Sequence, residues 1–121
     1  MHAGGRPAPW LGTSWKMNKT IGEAEAYARS LAAYASTRSS TTQWFVVPPF
    51  TAIARVAQIL TGTGVLIGAQ DVHPEPDGPH TGDISARMLL DAGATLVEIG
   101  HQERRRDHHE DDVLVRAKVR R

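Results

Sequence analysis

Polar side chains follow three apolar segments of the sequence, each at the point where the segment ends. They are Ser14 and Lys16 after the first segment, Gln70 after the third, and His101, Gln102 and Glu103 after the fourth. A lysine beside an apolar segment costs free energy unless a carboxylate or an anionic ligand compensates its charge. Glu103 is the candidate carboxylate, and a phosphate-bearing substrate is the candidate ligand. These residue types therefore indicate a site for a phosphorylated small molecule.

The elements that would position these residues alternate between short apolar segments and longer amphipathic ones. The predicted strands are Trp10 to Trp15, Trp44 to Val47, Val65 to Ile67 and Leu96 to Ile99. Four helices are predicted. The first follows a capping box at Thr20 and Glu23, and the second follows a cap at Thr51. The third spans Ile84 to Ala92 and the fourth Glu110 to Val119. A long loop from Asp71 to Gly82 separates the third strand from the third helix.

Nearly all-apolar strands that alternate with amphipathic helices predict a parallel sheet covered by helices. Such crossovers fit an open doubly wound sheet or part of a closed (β/α) barrel. The residues Trp15 to Asn18 stand where a dinucleotide-binding fold would have glycines, which favours the barrel. The active site of a (β/α) barrel lies at the C-terminal ends of its strands, where these polar residues gather.

Composition excludes several classes of function. The chain has 121 residues, of which 40% are apolar, a formal net charge of +1 and no cysteine. We therefore expect a soluble globular domain without disulfides or thiolate metal sites, and no nucleic-acid or membrane partner. Adjacent His108 and His109 would point about 100° apart on a helix, so no metal ion is expected. The start has no secretory signal, which predicts a cytoplasmic protein, and residues 1–8 are expected to be flexible.

Five segments resemble the successive signatures of the triosephosphate isomerase family, in the family's order and spacing. They are SWKMN from Ser14, PPFT from Pro48, GAQD from Gly68, TGDIS from Thr81 and GHQERR from Gly100. The resemblance spans Trp10 to Val119. It implies an α/β fold, the (β/α)8 TIM barrel, with residues 1–121 forming the N-terminal part of one barrel domain and its first four βα units.

The resemblance also implies a reaction, which is the interconversion of glyceraldehyde 3-phosphate and dihydroxyacetone phosphate through an enediolate. Lys16 would bind the substrate and stabilise developing negative charge, and Ser14 would contact the substrate. His101 would polarise the carbonyl, and a neutral histidine in this role is a known property of the family. Glu103 would hold Lys16 in place, supported by its neighbour Gln102. No cofactor is implied.

The loop at Thr81 and Gly82 resembles the arm by which family members contact a second subunit, which implies a homodimer if the barrel is complete. The partner molecule implied at the site is a small phosphorylated sugar.

Some residues depart from the family pattern. The family usually has Asn at the position of Ser14, Ser at that of Gln102 and Asn at that of Asp71. The GTSWKMN start also resembles a side branch of the family that isomerises tetrulose phosphates such as erythrulose phosphate. The sequence therefore leaves the choice between a triose and a tetrulose phosphate open.

The family's glutamate base has no counterpart in the sequence. A complete barrel needs about 250 residues and eight strands, and neither Glu98 nor Glu110 resembles the motif of the base. We therefore expect incomplete catalytic machinery in this chain alone. An inactive truncated fragment and a phosphate-binding half-barrel are the alternatives. Strands one and four would be open edges, which predicts low stability or self-association.

Overall fold

The structure is a computed structural model that describes residues 7–38 and 41–120. Its sheet has the order β1-β2-β3-β4, and each strand is parallel to its neighbour. The strands are β1 (Trp10–Ser14), β2 (Gln43–Val47), β3 (Leu66–Ala69) and β4 (Leu96–Val97). The predicted parallel sheet with alternating helices is thus confirmed. Residues 1–8 are expected to be flexible. Residues 1–6 of this segment lie outside the described part of the chain.

The helices follow the strands in the predicted alternation. They are α1 (Ile21–Thr37), α2 (Ile53–Ile59), α3 (Ala86–Ala92), α4 (Gln102–Asp107) and α5 (Asp112–Val119), with a short 3-10 segment at Phe50–Ala52. The capping box of α1 is confirmed: the backbone N–H of Glu23 donates to the Thr20 hydroxyl, and the Glu23 carboxylate accepts from the backbone N–H of Thr20. Local side-chain chemistry therefore sets the start of this helix.

The predicted cap at Thr51 is wrong. Thr51 lies inside the 3-10 segment, where the backbone N–H of Ala52 donates to the Pro49 carbonyl at 3.0 Å, and its side chain caps neither this segment nor α2. Pro48 and Pro49 lack the backbone N–H that would continue the pairing of β2, so the strand ends at Val47 and the 3-10 segment follows Pro49.

Other boundaries also differ from the prediction. β4 is only two residues long. Helix α3 starts at Ala86 because the Ser85 hydroxyl accepts from the backbone N–H of Met88. Helix α5 starts at Asp112 because Asp111 caps it through the backbone N–H of Leu114. Helix α4 has no apolar periodicity, since it buries none of its residues.

The core lies between the sheet and the helices that cover it. Its buried members include Val46, Ile67 and Ala69 from the strands, Ala28, Ile53, Val56 and Leu89 from the helices, and Leu60 directly after α2. The backbone N–H of Trp15 donates to the Val47 carbonyl at 3.0 Å and extends the pairing of β1 with β2 by one residue. This packing fixes the C-terminal end of β1, directly before Lys16.

Candidate active site

The C-terminal ends of the strands surround a cleft of about 440 Å³. Residues from all four strand ends line it, among them Ser14, Lys16, Gln70, Glu98, His101 and Glu103. The structure thus brings together residues that are up to 89 positions apart in the sequence, from Ser14 to Glu103. A cleft at this end of a parallel sheet is where ligands bind in α/β folds.

The backbone of Lys16 is held in an unusual conformation. Its φ is 57°, in the left-handed region that glycine favours and other residues rarely adopt. The Gln70 amide donates to the Lys16 carbonyl at 2.9 Å and to the Val47 carbonyl at 3.2 Å, and the Asn18 amide donates to the Trp15 carbonyl at 2.8 Å. These three bonds fix the turn, so the lysine side chain leaves it in a defined direction.

The Lys16 ammonium donates to Oε1 of Glu103 at 2.9 Å. This hydrogen bond is the main cause of a Glu103 pKa below its ordinary value, so the carboxyl group is ionised at neutral pH. The two side chains are 41% and 48% exposed. Because an ammonium group has three donors and Glu103 uses one of them, Lys16 can still donate to an anion in the cleft.

His101 caps helix α4 through its ring. Its Nδ1 accepts from the backbone N–H of Glu103 at 3.0 Å, so this nitrogen carries no proton in the structure. The Glu103 carboxylate is 3.9 Å from the same nitrogen, which is too long for a competing hydrogen bond. The neutral ring therefore has its proton on Nε2, where it can donate to a ligand oxygen. The resemblance had implied a neutral histidine without this reason for its tautomer.

Four charged residues form a connected group beside the cleft, and two of them, Asp71 and Arg104, also line it. The Lys118 ammonium donates to Asp71 and to Glu110, each at 2.7 Å. The Arg104 guanidinium lies 3.1 Å from Asp71 and 2.6 Å from Oε2 of Glu110. We call Asp71, Arg104, Glu110 and Lys118 the charged quartet. It contains two cations and two anions, and the side chains of Lys118 and Glu110 are 5% and 2% exposed.

Glu110 shows how the charged quartet compensates for burial. Desolvation alone would raise the pKa of its carboxyl group, but hydrogen bonds from Lys118 and Arg104 outweigh it and hold the pKa below its ordinary value. The quartet thereby joins the loop after β3 to the start of α4 and to α5. Asp71 directly follows Gln70, and Arg104 directly follows Glu103, so the quartet fixes both residues that position Lys16.

Two polar atoms at the cleft have no hydrogen-bond partner among the described residues. They are Oγ of Ser14 and Oε1 of Glu98, and both are shielded from solvent. Ser14 ends β1 and Glu98 directly follows β4, so the two residues lie at opposite edges of the described sheet.

The remaining predicted site residues lie away from the cleft. Gln102 is the first residue of α4, is exposed and does not line the cleft. Thr81 and Gly82 are exposed in the loop before α3, where Gly82 has a φ of 88°. The supporting role of Gln102 and the subunit contact of this loop stay predictions.

Sequence reasoning missed Asp71 and Glu98 as parts of the site region. Asp71 was noted only as a departure from the family, and Glu98 only as a carboxylate that fails to match the base. A carboxylate within the otherwise apolar segment Leu96 to Ile99 was the signal for Glu98, because a glutamate is rarely buried in a protein unless it is paired.

This arrangement defines an α/β protein of the (β/α) barrel class, with a polar cleft at the C-terminal ends of its parallel strands. The family profile described as triosephosphate isomerase matches residues 9–121. The chain therefore belongs to the triosephosphate isomerase family.

Named relatives divide between two activities. L-erythrulose-1-phosphate isomerase of Brucella abortus biovar 1 (strain 9-941) is 49% identical over 110 residues, which are 91% of this chain and 43% of the relative. Triosephosphate isomerase of Xanthobacter flavus is 47% identical over 112 residues, which are 93% of this chain and 44% of the relative. The crystal structure of triosephosphate isomerase from Bartonella henselae superposes with a TM-score of 0.84 at 44% identity, and covers 93% of this chain.

The chain spans less than half the length of these relatives, from 43% to 46%. The match to the solved structure confirms the expected fold class, with the part of a barrel that the chain covers. Within residues 7–38 and 41–120, every helix is too short or too polar to span a lipid bilayer.

Proposed function

We propose that this chain supplies the lysine and the histidine of an aldose–ketose isomerase site for a small phosphorylated sugar. One observation carries the proposal: Lys16, with an ionised Glu103 at 2.9 Å, and His101, with Nδ1 occupied, line the same cleft. A cation and a neutral N–H donor that share one site are suited to an oxygen on which negative charge develops.

In the isomerase reaction, negative charge develops on two neighbouring oxygens of the substrate. Removal of a proton from the carbon beside the carbonyl group gives an enediolate, and return of the proton to the neighbouring carbon gives the isomer. Lys16 would stabilise the charge, and Nε2–H of His101 would polarise the carbonyl group. We propose that the base comes from the remaining four βα units of a (β/α)8 barrel, of which residues 1–121 form the N-terminal part.

The substrate that we propose first is a triose phosphate, with glyceraldehyde 3-phosphate and dihydroxyacetone phosphate as the interconverted pair. Erythrulose phosphate is the second candidate, and one observation favours it: the Brucella abortus relative, 49% identical over 110 residues, is named L-erythrulose-1-phosphate isomerase. We further propose a cytoplasmic homodimer with the Thr81 and Gly82 loop at the subunit contact.

The test is a coupled isomerase assay with both substrates, on the purified chain and on the chain mixed with a C-terminal half-barrel from the Xanthobacter flavus relative. Turnover should appear only in the mixture and should be lost with His101→Ala. Turnover by the purified chain that His101→Ala abolishes would show that the base lies within these residues. A mixture without activity would contradict the isomerase proposal.

Phosphate binding by the chain itself is measured separately. Glycerol 3-phosphate should raise the melting temperature of the wild-type chain, and Lys16→Ala should abolish the shift. The matched control is Arg87→Ala, because Arg87 forms an exposed ion pair with Asp77 outside the cleft. A shift that survives Lys16→Ala would place the anion elsewhere.

A further inference from the structure

The two outer strands of the described sheet each have one unpaired edge. Strand β1 pairs only with β2, and β4 pairs only with β3. The open edge of a strand carries backbone N–H and C=O groups that a further strand can satisfy. Four of the five residues of β1 are exposed, although the strand begins with the large apolar side chains of Trp10 and Leu11. Strand β1 thus begins with the side chains of an inner strand and has the exposure of an edge strand.

Exposed apolar side chains lie at both edges. Trp10 and Leu11 at the β1 edge are 57% and 61% exposed, and Leu11 lines a groove of about 250 Å³ beside α1. At the β4 edge, Leu90, Val97 and Val119 are between 39% and 65% exposed and line a groove of about 220 Å³. These five side chains expose roughly 500 Å² of apolar surface, compared with about 800 Å² that a stable subunit contact buries on each partner.

A second copy of the chain can cover both edges at once. Only residues 1–6, 39–40 and 121 lie outside the described ranges, too few to add strands at both edges. In a second copy, β1 can pair with β4 of the first copy, and β4 with β1, in the same parallel sense as within one chain. Four strands are half of the eight that close a barrel of this class. Two copies related by a twofold axis would therefore close the ring and leave no open edge.

The register within one chain determines how the copies would meet. The strand pairs place one row of residues level across the sheet, namely Ser14, Val47, Gly68 and Leu96. A barrel of eight strands with a shear of 8 shifts the register by about four residues in each half. This shift places Leu96 opposite Trp10 of the second copy, since the reverse shift would reach position 18, beyond the end of β1. Val97 then lies opposite Leu11, and both side chains are exposed and apolar in a single copy.

We propose that two copies of this chain associate edge to edge into one ring of eight parallel strands, with Val97 of each copy against Leu11 of the other. This contact differs from the one proposed for Thr81 and Gly82, which line neither groove. Four further βα units would cover the same edges, so the two assemblies exclude each other. The inference goes beyond the proposed function, because it concerns assembly and does not depend on a substrate.

Sedimentation velocity of the purified chain at micromolar concentrations measures the assembly, and we expect a dimer. Leu11→Glu and Val97→Lys should each weaken the dimer by about a hundredfold or more, because each places an unpaired charge at both junctions of the ring. An equimolar mixture of the two variants should form dimers again. In the mixed dimer one junction is wild type, and the other joins the two introduced charges of opposite sign.

Met88→Lys is the matched control, because Met88 is exposed and apolar but lines neither groove, so the dimer should be unchanged. Thermal melts verify that all variants are folded. A monomeric wild-type chain, or assemblies that grow beyond two copies, would overturn the proposal. So would a dimer that only one of the two edge variants weakens, since the ring uses both edges equally.

Cross-linking tests the same contact without introducing a charge. The chain has no cysteine, so a mixture of Leu11→Cys and Val97→Cys should form a disulfide-linked dimer under mild oxidation. Either variant alone should give little of this product, because the ring keeps two identical edges apart. Equal cross-linking by one variant alone, or none in the mixture, would contradict the pairing of β1 with β4.

Discussion

The pair Lys16–Glu103 and the charged quartet meet at two consecutive residues of α4, Glu103 and Arg104, but differ in environment. Glu103 faces the cleft and Arg104, the next residue of α4, belongs to the quartet. The pair is about half exposed, and exposed ion pairs contribute roughly 0–1 kcal/mol to stability. Within the quartet, the side chains of Lys118 and Glu110 are almost fully buried. Helix α4 therefore carries both the carboxylate that holds Lys16 and, at the next residue, an anchor to the charged quartet.

The largest expected effect follows from breaking the charged quartet. Glu110→Ala removes one anion and leaves Lys118 and Arg104 with Asp71 alone, so we expect the free energy of unfolding to fall by about 3–5 kcal/mol. Urea denaturation measures this change. Asp112→Ala is the matched control, because Asp112 pairs with Arg105 in an exposed position and should change stability by less than about 1 kcal/mol. Equal effects of the two variants would show that burial does not distinguish the two kinds of pair.

Gly100 connects the cleft to the helix that carries Lys118. Its φ is 72°, and an added Cβ would lie 3.1 and 3.2 Å from the two Cγ atoms of Val115 in α5. Gly100→Ala should therefore cost about 1–3 kcal/mol of unfolding free energy. Gly22→Ala is the control, because Gly22 lies in α1 with no atom near the added Cβ, and it should be neutral or stabilising by up to about 1 kcal/mol. Thermal melts compare the two, and an unaffected Gly100→Ala would contradict the strain.

Acid should act on the charged quartet more than on the pair. The pKa of Glu110 is lower in the folded chain than its ordinary value of 4.5, so its contribution to stability is complete above about pH 4.5 and is lost as the pH falls through the folded pKa. The Glu103 pKa is also lowered, but the exposed pair contributes little. Urea midpoints between pH 3 and pH 6 should decline on the acid side, less steeply in Glu110→Gln. If Glu103→Gln reduced the acid-side fall of the urea midpoint as much as Glu110→Gln does, the assignment of the acid sensitivity to the charged quartet would be contradicted.

The smallest effect on stability is expected at Lys16 itself. Lys16→Ala should change the free energy of unfolding by less than about 1 kcal/mol, because the pair with Glu103 is exposed. The affinity for glycerol 3-phosphate should nevertheless fall by about tenfold or more, since charge-assisted hydrogen bonds contribute about 1.5–3 kcal/mol. Calorimetric titration beside urea denaturation separates these two results. A large loss of stability would show that the pair is structural, which would remove the difference from the charged quartet.

Much of the fold follows from local patterns in the sequence. Apolar segments and the capping box at Thr20 are sufficient to predict the strands and the start of α1. Helix α4 does not follow from such patterns, because Arg104 holds it through ion pairs with Asp71 and Glu110 and it has no apolar stripe. The predicted cap at Thr51 is wrong because a 3-10 segment precedes α2, and a threonine ahead of a helix does not reveal such a segment.

The site residues that lie in the family motifs could be predicted from the sequence, whereas the contacts between distant charged residues could not. The pair of Lys16 with Glu103 was expected from the charge of a lysine at the end of an apolar segment and again from the resemblance, and the structure places the two side chains 2.9 Å apart. The contact of Asp71 with Lys118 joins residues 47 positions apart, and no local pattern indicates which of several acids and bases will meet. The unpartnered state of Glu98 is likewise a property of its surroundings, which the sequence does not display.

The left-handed backbone at position 16 determines which residue types selection would favour there. Glycine fits a φ of 57° without strain, whereas lysine does not. A library screened only for folding should therefore drift from lysine to glycine or asparagine at position 16, while a library screened for phosphate binding should retain lysine. The frequency of lysine at this one position thus records whether a descendant chain has been selected for its ligand or only for its fold.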